Sequence, residues 1–428
     1  MDLIDEYFDY ATNACDAPSI YHKAISYWIG SSLLGRFARI ITSYAPTGLA
    51  PNLWIIIIGP SRITRKTAAT TLGENIIAKV DKQLLMPASF TPEALYELFN
   101  GLQPGAAVAW VKDEMGGFFK MLQKRYMFGL REILSSIYMG RGETRKLRNL
   151  TLVIPESIYV TTLGNMPTPP HEYFTEEDFH SGFLNRFILA YAQTREKRIP
   201  MLHTDVMLDI KMNSIITEYK RLIQVYQHNA IMPVSATSDA MTMLDEYEIN
   251  IENEIIRLER ENPSSLWKLY LGEAPYLLLK MATIRRLCRD PIAEKILVIE
   301  KSDVMKALND LNMFHQSAKQ VVDEVQTGAK SAPVITEEKE LNRVYEIIRD
   351  AGANGVAKWE ILLKLQISRE RLKQIILTLF EQERIVVVRT HSSFRGRKPI
   401  KFYTTEHRYR AEREGEIIDD VNKLEVLL

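Results

Sequence analysis

The sequence predicts a mixed α/β core built on a parallel sheet, then a helical stretch, then a small helical and β unit at the C-terminal end. Three observations predict it. Between residues 51 and 200, short β-branched apolar runs stopped by breakers or acids alternate with helical segments. From about Val206 to Val325 no convincing strand remains, and amphipathic helices follow one another. After residue 336, three helical segments precede two alternating strands. Parallel strands need a long crossover between them, so strand–helix alternation is the pattern of a parallel α/β sheet.

From Leu3 to about Arg39 the apolar positions recur at helical spacing (Tyr7, Tyr10, Ala11, then Tyr21, Ala24, Ile25, Trp28, Ile29), a helical N-terminal preamble. Phe37 to Tyr44 alternates like a short strand, and Ala45 to Pro51 reads as a Pro/Gly-rich turn. Leu53 to Ile58 is the first buried strand and ends in Gly59-Pro60-Ser61. Ala106 to Val111, Ser157 to Thr162 and Phe187 to Tyr191 are three more of its kind, with helices at Pro92 to Phe99 and Met127 to Tyr138 between them. The chain therefore divides into a helical N-terminal segment (1–50), the α/β core (51–200) and a helical lid (201–326). A linker (327–336), a C-terminal domain (337–410) and an acidic tail (411–428) complete it.

The first strand runs into Gly59-Pro60-Ser61-Arg62-Ile63-Thr64-Arg65-Lys66-Thr67, and a helix follows from Ala68. Strand, loop, Lys-Thr and helix make a phosphate-loop arrangement: backbone N–H groups and the helix N-terminus hold anionic oxygens, Lys66 reaches the terminal phosphates, and Thr67 binds magnesium. Gly59, Ser61 and Arg65 complete the expected nucleotide contacts. The spacing between Gly59 and Lys66 is one residue longer than usual, and Arg65 stands where the tight curl ordinarily demands glycine. An ordinary βα turn containing Lys-Thr would look the same. The second strand, however, ends in Lys112-Asp113-Glu114, where a phosphate-loop sheet is expected to return a strand beside the first. There Asp113 would orient magnesium and Glu114 would polarise the attacking water.

Further along, the third strand ends in Thr161-Thr162-Leu163-Gly164-Asn165, and Gly182-Phe183-Leu184-Asn185-Arg186-Phe187 leads into the fourth. Together with Tyr21-His22-Lys23-Ala24, Pro51-Asn52-Leu53 and the late Tyr276 to Ala282 helix, residues Asp2 to Val325 resemble the AAA+-like helicase domains of virus- and plasmid-encoded replication proteins. The resemblance is to the divergent group attached to primases, some of which carry Arg-Lys-Ser/Thr in this loop. It implies an α/β P-loop NTPase (AAA+-like) core with a helical lid, ATP and Mg2+ as cofactors, a homo-oligomeric (hexameric) ring and unwinding of DNA. Priming would need a separate primase or replication protein. It also implies roles for single residues. Asn165, with Thr161 or Thr162 as alternatives, would be the polar sensor of the γ-phosphate, although Gly-Asn is also ordinary turn chemistry. Arg186 would project from the subunit edge toward a neighbour's phosphate. Lys280, Arg285 or Arg286 would supply a lid cation.

Two basic stretches are candidate DNA contacts. Gly140 to Asn149 carries Arg141, Arg145, Lys146 and Arg148 around one acid and reads as a hairpin on the phosphate backbone or a solvated loop. The second lies in the C-terminal domain. Glu338 to Asp350 and Val356 to Leu365 form two helices; Arg369 to Gln382 forms a third, capped by Ser368 with Leu372, Ile375, Ile376 and Leu379 inward. Ile385 to Thr390 and Lys401 to Thr405 then alternate as strands around a basic loop. Three helices and a basic hairpin make a winged helix, although such domains also bind proteins. Its third helix would present Arg369, Arg371 and Lys373 to the major groove, and the wing would present Arg395, Arg397 and Lys398.

Composition sets bounds on these readings. Fifty-four basic and 54 acidic residues cancel, so any attraction to single- or double-stranded DNA must come from local clustering. Cys15 and Cys288 are the two cysteines, and the eight histidines never pair at metal spacing, which argues against a disulfide scaffold or a structural zinc. The start is acidic where a signal peptide is basic, and the longest apolar run is too short to span a bilayer. The expectation is a cytoplasmic, soluble protein without a membrane partner.

Overall fold

The computed structural model describes residues 2–42, 45–86, 97–123, 130–146, 151–200, 205–228, 230–290, 295–365, 369–390, 400–420 and 423–424, without the side chains of 45–47, 143, 145, 146, 151, 152, 329–340 and 370. The chain forms two units, Met1–Ala329 and Lys330–Leu428.

The first unit opens with α1 (Leu3–Ala14), α2 (Ser19–Leu34), β1 (Ala38–Thr42), β2 (Ala45–Leu49) and β3 (Trp54–Ile58). Next come α3 (Lys66–Asp81), β4 (Ala107–Lys112), α4 (Met115–Leu122), α5 (Leu130–Tyr138) and the hairpin of β5 (Glu143–Lys146) and β6 (Thr151–Ile154). β7 (Tyr159–Met166), α6 (Glu176–His180) and β8 (Phe187–Tyr191) complete the core. They are followed by α7 (Val206–Tyr226), β9 (Met232–Ala236), α8 (Ser238–Glu261), α9 (Leu266–Leu271), α10 (Ala274–Leu287), β10 (Leu297–Ile299) and α11 (Lys301–Ala351).

The protein is mixed α/β with a parallel central sheet in the order β4-β7-β3-β8. Successive residues of a strand point to opposite faces, and both faces are covered. Ile55, Ile57, Leu163 and Ala190 pack with α1, α2, α3, α7 and α10. Trp54, Ile56, Ile58 and Leu189 pack with α4, α5, α9 and the first part of α11. The acidic strand β4 does not lie beside β3 as expected, because β7 is inserted between them.

The helical preamble is part of the core. α2 is buried around its whole circumference from Tyr21 to Leu34, and its hydroxyls are paired: Ser31 Oγ donates to the Pro51 carbonyl (3.0 Å) and Ser32 meets Thr161 Oγ1 (2.6 Å). Residues 45–49, expected as a turn, form β2, which pairs antiparallel with β1. The stretch from Val206 to Val325, expected to lack strands, contains β9 and β10, which complete a second sheet in the order β10-β9-β1-β2. Strands of three to five residues, one of them containing Pro233, carry too little alternation to be read locally. Residues 327–336, expected as a linker, lie within α11.

The second unit adds β11 (Val356–Ala357), α12 (Lys358–Leu365), α13 (Arg369–Glu381), β12 (Ile385–Thr390), β13 (Ile400–Thr404), α14 (Arg408–Glu414) and β14 (Gly415–Ile417). Its antiparallel sheet runs β11-β13-β12-β14 and covers Leu372, Ile375, Ile376 and Leu379 of α13, the positions expected to point inward. The acidic tail is structured in part: β14 pairs with β12, and Ile418 and Leu424 are buried. Ser368, the expected cap of the third helix, lies outside the described residues, as do 92–96 and 127–129 of the two expected core helices.

Candidate functional site

The strands that follow β3 in the chain are placed on opposite sides of it, β4 and β7 on one side and then β8 on the other. At such a reversal a crevice opens beyond the carboxyl ends of the strands. A cleft of about 750 Å³ lies there. One wall is the loop after β3, with Ser61, Arg62, Arg65, Lys66 and Thr67; the ends of β4 and β7 bring Asp113, Glu114 and Asn165. The sequence reading thus assembled one cleft from three separate segments. It missed the facing wall, Gly116, Gly117, Lys120, Pro167 and Tyr173. The signal for that wall was the pair of glycines that begins two residues after Glu114, followed by a lysine at helical spacing.

The loop is held from behind. Tyr21 Oη donates to the Ile58 carbonyl (2.6 Å) and the Ala192 carbonyl (3.2 Å). A Cβ on Gly59 would collide with that hydroxyl and with the Ala192 carbonyl oxygen, which explains the glycine. The backbone curls as expected: Arg62 (φ 67°) and Arg65 (φ 54°) are both left-handed, and Arg65 immediately precedes α3. The first N–H groups of α3 have no intrahelical acceptor and are left for an anion. Arg65 is anchored by an ion pair from its Nε to Asp16 (3.5 Å), and Asp16 also pairs with Arg195.

Lys66 is buried, and its ammonium donates to the Gly59 carbonyl. Burial lowers its pKa, and the Asp113 carboxylate opposes that shift. Asp113 is the hub of the acidic side: its Oδ1 accepts from Thr67 Oγ1 (3.0 Å) and from Asn165 Nδ2 (2.8 Å). Thr70 Oγ1 in turn donates to Asn165 Oδ1 (2.9 Å), tying α3 to β7. Insertion of β7 between β3 and β4 is what places Asn165 between the loop and the acids. Gly164 and Asn165 are strand residues paired with Ile56 and Ile57, so the alternative of a turn is removed. Thr161 faces α2 and Ser32 instead, and Thr162 Oγ1 is buried with no partner among the described residues. Thr67 and Asp113 are hard oxygen donors of the kind magnesium takes.

Other expected members of the site lie elsewhere. Lys280 sits at the amino ends of the strands, opposite the cleft: its ammonium donates to Asn52 Oδ1 (2.9 Å) and the Asn52 carbonyl (3.3 Å) and lies 3.7 Å from the Tyr138 ring centroid. Burial pushes its pKa down to about 7. It is not a nucleotide contact, because its helix presents it to the start of β3 rather than the end. Arg285 is buried among Asp2, Asp5 and Asp310, and Arg286 donates to the Val298 carbonyl (3.0 Å). Arg186 does not project: it folds back onto the Gly182 carbonyl, its guanidinium 5.9 Å from the Tyr138 ring centroid.

Of the expected DNA contacts, Arg141 is exposed at the start of the β5–β6 hairpin. Arg145 and Lys146 pair through their backbone with Leu152 and Thr151, their side chains lying outside the described residues, as does all of Arg148. Arg369 is exposed at the start of α13, and Arg371 Nη1 donates to Gln374 Oε1 (3.2 Å). Lys358 of α12 has its pKa lowered by burial and then by repulsion from Arg369 and Lys373. Arg395, Arg397 and Lys398 lie outside the described residues. No protein-family profile matches the sequence, and no curated protein matches it.

Proposed function

We propose that the protein is an ATP-hydrolysing P-loop enzyme of the AAA+ type that acts on DNA, binding it through a C-terminal winged helix. The observation that carries this reading is the hydrogen-bonded chain Thr67–Asp113–Asn165–Thr70, set beside buried Lys66 at the reversal point of a parallel sheet. Four polar residues from three segments converge where a phosphate-binding loop would deliver a triphosphate. Ring assembly and a place in viral or plasmid replication come from the sequence resemblance. The cluster of Lys358, Arg369 and Lys373 on the second unit supports a nucleic-acid-binding face.

In this reading the left-handed loop and the start of α3 cradle the phosphates, and Lys66 exchanges its bond to the Gly59 carbonyl for a terminal phosphate oxygen. Thr67 and Asp113 would hold magnesium, which neutralises phosphate charge when bound. Glu114, at the start of α4, takes the proton of the attacking water, and Asn165 positions that water. Arg186 would serve a neighbouring subunit only after leaving the Gly182 carbonyl.

The test is ATP turnover by the purified protein, with and without single- and double-stranded DNA, beside Lys66→Ala and Glu114→Gln. Both variants should lose turnover, by roughly 100-fold or more for the loss of a catalytic base. Lys66→Ala should also weaken nucleotide binding, whereas Glu114→Gln should preserve it. Turnover at the parental rate in either variant overturns the assignment. A second reading has an observation of its own, the left-handed Arg65 tied to Asp16 in place of glycine. It is a DNA-binding initiator or scaffold whose altered loop supports little hydrolysis; duplex binding without turnover under any condition selects it.

A further inference from the structure

The wall of the cleft that faces the phosphate loop has a cation of its own. Gly116, Gly117 and Lys120 fall on one face of α4, because residues three and four apart are neighbours on a helix. Gly117 offers nothing to this face: the space its Cβ would fill is open. A Cβ on Gly116 would meet the Tyr173 ring at 2.6 Å, so that ring lies directly on the helix backbone. The same ring carries the Lys120 ammonium 4.3 Å from its centroid. Helical side chains lean toward the N-terminus, and this one has leaned back a full turn, over the ring that abuts Gly116. Its charge is thereby held near the start of α4, which begins directly after Glu114.

The ring is itself placed from two sides. Tyr173 closes the turn from Pro170 through its backbone N–H (3.0 Å), and its carbonyl accepts from Gln123 Nε2 at the end of α4 (3.3 Å). A cation over an aromatic face is held by the ring's quadrupole, and among the described residues Lys120 forms no ion pair with a carboxylate. None of the three cations of α10 discussed above lines this cleft. Lys120 does, on the helix that begins directly after Glu114.

We propose that Lys120, positioned by Tyr173, contacts the terminal phosphate of a bound nucleoside triphosphate and so distinguishes triphosphate from diphosphate. The inference rests on the nucleotide reading above. Lys66 approaches the phosphates from the loop, and Lys120 from the facing wall, where an added γ-phosphate brings charge that a diphosphate lacks.

The experiment measures equilibrium affinities for ATP and ADP with magnesium, using the full chain in a Glu114→Gln background so that ATP persists. Added Lys120→Ala should weaken ATP binding by roughly tenfold or more, the worth of a charge-assisted hydrogen bond, and leave ADP binding unchanged. Lys120→Arg should retain most of the discrimination, and Tyr173→Leu should lose part of it. Lys66→Ala, by contrast, should weaken both nucleotides. Unchanged ATP binding in Lys120→Ala overturns the proposal, as does an equal loss for ATP and ADP. If the parental protein binds neither nucleotide, the nucleotide reading itself falls and takes this inference with it, an outcome distinct from the other two.

Discussion

At Arg65 an ordinary side chain occupies a left-handed backbone position, which costs an L-residue about 1–2 kcal/mol relative to glycine. The ion pair with Asp16 offsets that penalty and fixes the guanidinium against the N-terminal segment. Asp16→Ala should therefore loosen the loop and weaken nucleotide binding, and Arg65→Gly should restore binding in the same chain. Affinities of the two single variants and the double variant test it; a double variant no better than Asp16→Ala would show that Asp16 acts some other way. Lys280 gives the opposite prediction. Its partners are Asn52 and Tyr138, so Lys280→Met should leave nucleotide affinity unchanged, and a marked loss would return it to the nucleotide site. Residue by residue, the legible part of the site was the part contiguous in sequence. Gly59 to Thr67 and Asp113-Glu114 announce themselves because strand, loop and helix follow one another directly. The Asp16 anchor, the Lys120–Tyr173 wall and the position of Lys280 depend on where distant helices dock, which local spacing does not encode.

Among the elements, α1, α2, α10 and α11 meet at one side chain. Arg285 of α10 is 2% exposed; it donates to Asp2 (2.7 Å) before α1, to Asp5 in α1 (3.1 Å), to Asp310 in α11 (2.5 Å) and to Tyr27 Oη of α2 (2.7 Å). Burial raises the Asp5 carboxyl, and the hydrogen bonds from Arg285 and Lys306 more than reverse it, holding it well below the usual carboxylate range. Removing Arg285, the most buried cation of the cluster, leaves Asp2, Asp5 and Asp310 with only Lys23 and Lys306 to offset their mutual repulsion. Arg285→Met should destabilise the protein by about 3–5 kcal/mol, read from urea unfolding. A loss under about 1 kcal/mol would place this cluster with ordinary surface ion pairs. The element scale also shows why part of the fold was hidden. Three of the four core strands are nearly continuous apolar runs, and the fourth, β7, opens on one; all stood out, whereas β2, β9 and β10 acquire their meaning only by pairing with β1 and one another across most of the unit. Likewise α2 reads as an amphipathic preamble until the elements that bury its remaining faces are in place.

For the whole molecule, balanced charge leaves acid sensitivity to particular buried groups rather than to overall repulsion. Two histidines stand out. His22 lies in α2, its Nε2 3.2 Å from the Cys15 carbonyl, and His315 lies in α11 against the edges of Trp267 and Tyr270. Burial pushes both down to about 4 from the ordinary 6.5, only partly opposed at His22 by the Cys15 carbonyl. Both rings are neutral in folded and unfolded chains above pH 6.5, so their full contribution is present there. Below it the unfolded chain takes up protons that the folded chain refuses, and stability falls until the folded values near 4 are reached. Across that window the loss is on the order of 3 kcal/mol for each ring. Asp5 acts in a lower window, adding its loss only as pH falls below its unfolded value of 3.8. Urea midpoints should thus hold level from pH 7.5 to about 6.5 and decline from there to pH 4.5, and His315→Leu should remove about half of that decline. A midpoint constant over this range, or a slope unchanged in His315→Leu, would mean that water reaches these rings in the folded protein and that the packing of α2 and α11 is looser than their burial implies.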